Sequence, residues 1–343
     1  MATLRDVARE LGLSISTVSR ALNGYPHIDE RTRARVQRAA KALNYQPNAL
    51  ARALRQQETK TVGLIIPDIL NLFYAEGAAV LQATLEEHGY RLVVCISNDN
   101  PDSDRSYLEA LLQQRVDGIV HVPCTVAGAR MVRDSSMVPL VELNRCSDGG
   151  LFDAVLPDDR DGALRLTRYL LGLGHTRIAV IAGPEQYSTT IGRIAGVQEA
   201  YREAGVSFDE LLIIPGQYTP AWGAEATRHV IAMERRPTAI LAAGNQIVLG
   251  ALQVLGNHRL RIPSDISLAG FDDPGWFAAW QPGITTYALP LREMGLVAAQ
   301  LLLSRMTLPK DSPSMATVTR LAGQLIVRES CARPDMGEQK RIV

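Results

Sequence analysis

Residues 13–23, LSISTVSRALN, gather a guanidinium, several hydroxyls and an aliphatic side chain on one short stretch. Val18, Ala21 and Leu22 recur at the spacing of a buried helical stripe, which leaves Ile15, Ser16, Thr17, Ser19 and Arg20 to face outwards. Guanidinium and hydroxyl groups bond to base edges and phosphates, and an aliphatic packs on a thymine methyl, so this face suits a DNA major groove. The elements that must hold it lie just upstream. Thr3 followed by Asp6 is a reciprocal N-terminal cap, and Leu4, Val7, Ala8 and Leu11 keep helical spacing. Gly12 supplies a left-handed stop and Ser14 a cap for the next helix, which Asn23-Gly24 ends. The pattern is a helix-turn-helix, a motif also common in proteins that never touch DNA.

Charge separates those two readings. Residues 1–60 carry eleven Lys/Arg against five Asp/Glu, a net +6; with 36 of each over 343 residues, the remaining 283 positions carry 25 against 31, a net −6. A basic head on an acidic body is what phosphate contacts require. Asp29 caps a third helix that buries Val36, Ala39, Ala40 and Leu43 and turns Arg31, Arg33, Arg35 and Arg38 outwards. Asn48 offers a cap for a helix over residues 49–55, edged by Leu50, Ala51 and Leu54. At about seven residues it falls below the ~12 to 15 at which an isolated helix becomes marginal, so it needs a partner. Residues 56–60 form a polar linker.

Other classes are disfavoured by what the sequence lacks. No apolar run reaches the ~18 to 20 residues of a membrane span, and the N-terminus reads as a helix start rather than a signal peptide, so a cytoplasmic protein is expected. Cys95, Cys124, Cys146 and Cys331 are dispersed and read as reduced structural thiols, and the six histidines form no metal-ligand spacing. No G-x-G-x-x-G follows a strand, and there is no P-loop or G-x-S-x-G; neither an enzyme, a cofactor nor a metal is expected. Downstream of the linker, apolar runs at residues 62–66, 92–96, 118–122, 138–143, 178–182, 211–214, 239–242 and 266–270 alternate with helical patterns. Buried parallel sheets wrapped by helices produce that alternation.

The segments TLRDVARELGLSISTVSRALNG, TRARVQRAAKALNYQPNALARALR, IIPDILNLFYAE, DDRDGA, LGHTRIAVIAGP, GRIAGV, IPSDISLAGFDD and ITT together resemble the lactose-repressor (LacI/GalR) family of bacterial transcription regulators. The likeness covers almost the whole chain. It implies an N-terminal all-α helix-turn-helix head plus an α/β body of two doubly wound parallel-sheet lobes, periplasmic-binding-protein-like, with crossings near Asp158, Ala288 and Val318. The corresponding layout is a head over 1–47, a hinge helix and linker over 48–60, one lobe over 61–158 and 289–317, a second over 159–288 and 318–335, and a tail over 336–343.

The resemblance also implies roles. Ile15, Ser16 and Arg20 would read bases, Arg20 by a bidentate contact to guanine. Thr3, Ser14, Thr17, Ser19 and Asn23 would hold phosphates or the local fold. The hinge helix would form when two subunits of a homodimer meet on a near-palindromic operator, with Leu54 wedged into the minor groove. Ligands in such sheets bind beyond the carboxyl ends of the strands, so an effector is expected between the lobes. Phe73, Tyr74, Asn144, Thr189, Arg193, Tyr218, Gly244, Gln246 and Asp272 carry over as its pocket, with Arg193 and Asp272 forking onto hydroxyls or a carboxylate over an aromatic platform.

Three positions depart from the family pattern: Gly244-Asn245 where Asn-Asp is common, Asn144 where Asp is frequent, and Asp159 where Asn is frequent. A sugar, sugar acid or sugar phosphate is the expected effector class, and the expected function is a DNA-binding repressor under its control. The alternative is a transport-type sugar receptor without DNA function, against which the basic head argues. Residues 335–343 are too short and polar for a coiled-coil tetramerisation segment.

Overall fold

The computed structural model describes residues 2–22, 25–45, 58–125, 130–133, 138–147, 152–309 and 315–334, in two compact units, 1–59 and 60–343. Among the described residues the first unit holds three helices, α1 (Leu4–Leu11), α2 (Ile15–Leu22) and α3 (Glu30–Ala42). The cap at α1 is reciprocal: the Thr3 amide donates to Asp6 Oδ2 at 2.9 Å while Thr3 Oγ1 accepts from the Asp6 amide at 3.4 Å. Gly12 takes φ 64°, a left-handed turn that costs a glycine nothing. Ser14 Oγ accepts from the Thr17 amide at 3.0 Å and Asp29 Oδ1 from the Thr32 amide at 2.8 Å. Val7, Ala8, Val18, Ala21, Val36 and Ala40 form the buried core that fixes the three helices together.

The second unit contains two six-stranded sheets of matching order, β11-β5-β4-β3-β1-β2 and β12-β10-β9-β8-β6-β7. The first comprises β1 (Thr61–Ile66), β2 (Arg91–Ile96), β3 (Gly118–His121), β4 (Leu140–Leu143), β5 (Asp153–Pro157) and β11 (Val318–Leu321). The second comprises β6 (Ile178–Ile181), β7 (Ile213–Ile214), β8 (Ala239–Ala242), β9 (Ser267–Phe271), β10 (Thr285–Ala288) and β12 (Gln324–Ile326). All pairs are parallel except β10 with β12. The strand order reverses between β1 and β3 in one sheet and between β6 and β8 in the other, and those switch points are where open α/β sheets bind ligands.

The chain passes between lobes at residue 158, at residues 289–290, and at residues 322–323. The last passage differs from the expectation at Val318. Val318 to Leu321 pair in parallel with Ala154 to Pro157 and so complete the first sheet. The change of lobe comes at Gly323, where a Cβ would lie 2.2 Å from Ala288 O and 2.7 Å from the Tyr287 ring. The expected strand over 211–214 also shortens to Ile213–Ile214, because Asp209 Oδ1 accepts from the Leu211 amide and starts a single 3-10 turn there.

Helices cover both sheets: α4 (Leu72–Glu87), α5 (Pro101–Gln113) and α10 (Leu291–Thr307) on the first, α6 (Asp159–Gly172), α7 (Ser188–Ala204), α8 (Pro220–Ala232) and α9 (Asn245–Asn257) on the second. Helices α6 and α7 approach closely at the GRIAG segment. A Cβ on Gly196 would stand 2.2 Å from Arg160 O, and one on Gly192 3.0 Å from Asp159 Cβ. No helix among the described residues is long and apolar enough to cross a membrane.

Candidate nucleic-acid interface and ligand cleft

On α2, Val18 and Ala21 are buried while Ser16 and Arg20 are exposed, and Ile15 keeps 44% of its surface open to solvent. An aliphatic left that exposed at the start of a capped helix contributes nothing to the head's own core. Ser14 Oγ lies 2.8 Å from both Ser16 Oγ and Thr17 Oγ1, so the hydroxyls of the first turn form one chain anchored on the cap. Thr17 and Ser19 are half-buried, which suits structural support more than base contact. Thr3 is committed to the α1 cap through Asp6 Oδ2, 2.7 Å from its hydroxyl. Arg33 donates to Tyr25 O at 2.9 Å and braces the loop before α3. Asn23 and Leu54, with the expected hinge helix, lie outside the described residues.

In the second unit, all nine residues expected at the effector pocket line one cleft between the lobes, about 230 Å³ in volume. One side is built from residues beyond β1 (Asp68, Asn71, Phe73, Tyr74), β2 (Asn98, Asp99) and β4 (Asn144, Arg145). The other comes from α7 (Thr189, Arg193), residues 217–219, the start of α9 (Gly244, Asn245, Gln246) and the end of β9 (Asp272). Such a volume lies below the ~300 to 1,000 Å³ of drug-sized pockets, which fits a small polar molecule.

Two of these residues occupy equivalent places. Asn144 follows β4 and Asp272 follows β9, strands with the same position in their sheets. Both take the left-handed conformation, φ 66° and 67°, and each amide donates to the neighbouring strand, Asn144 to Val155 O at 2.9 Å and Asp272 to Tyr287 O at 3.0 Å. Asn and Asp tolerate this backbone better than other non-glycine residues. Each lobe thereby fixes one side-chain acceptor at the cleft. Asp272 Oδ2 accepts from the Asn245 amide at 3.2 Å and from Asn245 Nδ2 at 2.8 Å. Asn144 Oδ1 is buried without a hydrogen-bond partner among the described residues, while Asn144 Nδ2 donates to Tyr74 Oη at 3.3 Å. Burial raises the Tyr74 phenol to about 12, so it stays a neutral hydroxyl.

The guanidiniums are less free than their sequence positions suggest. Both Arg193 and Thr189 lie within α7, whose close packing on α6 sets Arg193 Nε 2.7 Å from Asp159 Oδ1. Arg193 Nη1 also donates to Ala243 O at 2.7 Å, and the guanidinium lies 4.2 Å over the Phe271 ring. Burial raises the Asp159 carboxyl to about 6, with the Arg193 charge opposing that rise, and burial likewise raises Asp272. Arg145 is clamped by Asp99 through Nη1–Oδ1 at 2.6 Å and Nη2–Oδ2 at 3.3 Å. Its guanidinium lies 4.0 Å over the Tyr187 ring of the opposite lobe.

Tyr218 supplies the aromatic wall. Its hydroxyl lies 2.9 Å from Thr190 Oγ1, and a Cβ on Gly183 or Gly244 would come within 2.1 or 3.0 Å of its ring. The departure at Gly244 is therefore the absence of a side chain where Tyr218 packs. Two further bonds join the lobes around the cleft, Asn245 Nδ2 to Asn71 Oδ1 at 3.0 Å and the Cys146 amide to Ser188 Oγ at 3.0 Å. Asn98 and Asp99, which the sequence reading missed, lie in the turn after β2 and both have φ 53°, a backbone cue that residue types alone do not carry.

Comparison with known proteins fixes the class. Residues 3–48 match the bacterial regulatory proteins of the lacI family, and residues 167–331 match the periplasmic binding protein-like domain. The chain is 32% identical over 338 residues to the HTH-type transcriptional repressor PurR of Edwardsiella ictaluri (strain 93-146), covering 97% of each. The lac repressor dimer bound to operator and the anti-inducer ONPF superposes with a TM-score of 0.84 at 25% identity, over 96% of this chain and 99% of that one. The transcriptional regulator CelR in complex with cellobiose gives 0.72 at 30% identity, over 96% and 100%. The chain belongs to the lacI family of bacterial regulatory proteins. It is a DNA-binding transcription regulator.

Proposed function

We propose that this protein is a homodimeric, cytoplasmic repressor whose affinity for operator DNA is set by a small polar effector bound between the lobes. The observation that carries the reading is the exposed run of Ile15, Ser16 and Arg20 on a capped helix, joined in one chain to a two-lobed body with a polar cleft. Arg20 reads guanine, Ser16 donates or accepts at a neighbouring base, Ile15 meets a thymine methyl, and Leu54 wedges the minor groove. Thr3, Ser14, Thr17, Ser19 and Asn23 support the helices or hold phosphates. In the cleft, Asn144, Arg193 and Asp272 hold the ligand's polar groups while Tyr74, Phe73 and Tyr218 enclose its ring, with Thr189, Gly244 and Gln246 at the rim.

A sugar or sugar derivative is the ligand class, supported by the cellobiose held by CelR and by a cleft that mixes amides, carboxylates and aromatic rings. The test is a fluorescence-anisotropy titration of the full chain against the DNA upstream of its own gene, repeated over a salt series. A sequence-specific complex that weakens steeply with salt is expected. Binding that is equal on scrambled DNA would overturn the assignment.

A further inference from the structure

Each guanidinium at the cleft comes with its own carboxylate. Arg145 is held by Asp99 in a two-point fork, and Arg193 by Asp159, whose side chain is only 8% exposed and lies behind the cleft wall. Setting those pairs aside leaves Asp68 and Asp272 among the lining residues, so the site carries surplus negative charge. Arg145 Nε is a buried donor without a partner among the described residues, and each lobe adds an acceptor that is not fully committed. Asn144 Oδ1 is a buried acceptor with no partner among the described residues, and only one oxygen of Asp272 is engaged by Asn245. A ligand that satisfies both must bring donors to both lobes. An anion there would meet unpaired carboxylates in a poorly screened cleft.

A neutral amide at Asp159 would take away the carboxylate bonded to Arg193 Nε and leave only the more distant Asp272 charge opposing the guanidinium, which could then fork a carboxylate or phosphate. We propose that Asp159 determines the charge selectivity of the cleft: by neutralising Arg193 it restricts the site to uncharged, hydroxyl-rich ligands and excludes sugar acids and sugar phosphates. This rests on the reading of the cleft as the effector site. The pairing is built into the fold, since Gly192 and Gly196 let α7 approach α6 closely enough to put Arg193 against Asp159.

The experiment uses the full-length protein, its Asp159→Asn variant and its Asp159→Glu variant near neutral pH. A low-molecular-weight extract of bacterial cells is resolved by ion exchange into uncharged, anionic and cationic fractions, and each is scored by thermal shift. The uncharged fraction alone is expected to stabilise the wild type. Asp159→Asn is expected to gain stabilisation by the anionic fraction, with affinity for its active component raised roughly tenfold or more, the equivalent of one charge-assisted hydrogen bond. Asp159→Glu should keep wild-type selectivity. Stabilisation of the wild type by the anionic or cationic fraction would overturn the proposal while leaving the cleft a ligand site. If no fraction stabilises any form, the reading of the cleft falls and the proposal with it. Unchanged selectivity in Asp159→Asn would reduce Asp159 to a structural partner of Arg193. Should that variant not fold, Asp159→Ser removes the same carboxylate, and the same gain of anion binding is expected; its absence would overturn the proposal.

Discussion

Asp159 has a second, measurable consequence. Its carboxyl is raised by burial from an ordinary 3.8 to about 6. Between those values the folded chain holds a proton that the unfolded chain has released, so the stability contributed by this group is present below 3.8 and lost as pH rises through about 6. Asp159→Asn removes the titration. Melting temperatures of the two proteins, compared from pH ~7 down to pH ~5, should diverge in favour of the wild type as pH falls; parallel curves would mean that Asp159 ionises alike in both states. On α2, Arg20→Ala should cost about 1–3 kcal/mol at one base position, read by competition with single-base variants of the operator. Equal weakening on every sequence would make Arg20 a phosphate contact instead. These residues differ in how far the sequence exposed them. The nine cleft residues were carried over from the family resemblance, which their own spacing does not supply. The Asp159–Arg193 and Arg145–Asp99 pairs span 34 and 46 positions, and only packing brings such partners together.

The elements were legible wherever burial wrote a strong pattern. Strands such as Thr61–Ile66 and Ile178–Ile181 are buried along nearly their whole length and appear as unbroken apolar runs. The strands that escaped notice, Asp153–Pro157, Thr285–Ala288, Val318–Leu321 and Gln324–Ile326, are short and carry polar residues or proline, at their ends or, in Val318–Leu321, at Thr319 and Arg320. Two of them, at 318–321 and 324–326, are edge strands with exposed positions, where half-burial replaces the apolar run with mixed residues. Helix contacts follow the same logic through glycine. Gly196→Val would drive a side chain into Arg160 O and Ala163 Cβ, and overpacking of this kind costs about 1–3 kcal/mol. Chemical denaturation should show that loss, together with weaker ligand binding because Arg193 moves with α7. Gly256, inside α9, has nothing within 4 Å of an added Cβ, and Gly256→Ala should stabilise by about 0.5–1 kcal/mol. A destabilised Gly256→Ala protein would show that α9 needs glycine for a reason other than space.

At the scale of the whole molecule, two sheets of the same order share a cleft and three passages of chain, and polar contacts already tie the lobes at Asn71 with Asn245, Cys146 with Ser188, and Arg145 with Tyr187. A ligand seated among Asn144, Arg193 and Asp272 would touch both lobes and so favour whichever relative arrangement fits it best. It can shift the protein only by the difference between its affinities for the two arrangements. If that shift is what alters operator binding, the coupling is a single free energy shared by both sites. A ligand that changes operator affinity about tenfold must then find its own affinity changed by the same factor when operator is bound. Anisotropy titrations with and without saturating ligand give the first factor, and calorimetric titrations of ligand into the protein with and without an operator duplex give the second. Equality is expected in size and sign across a salt series, even though each affinity moves with salt through the basic head. A ligand that alters operator binding while its own affinity ignores the operator would break this cycle, and control by lobe rearrangement would have to be abandoned.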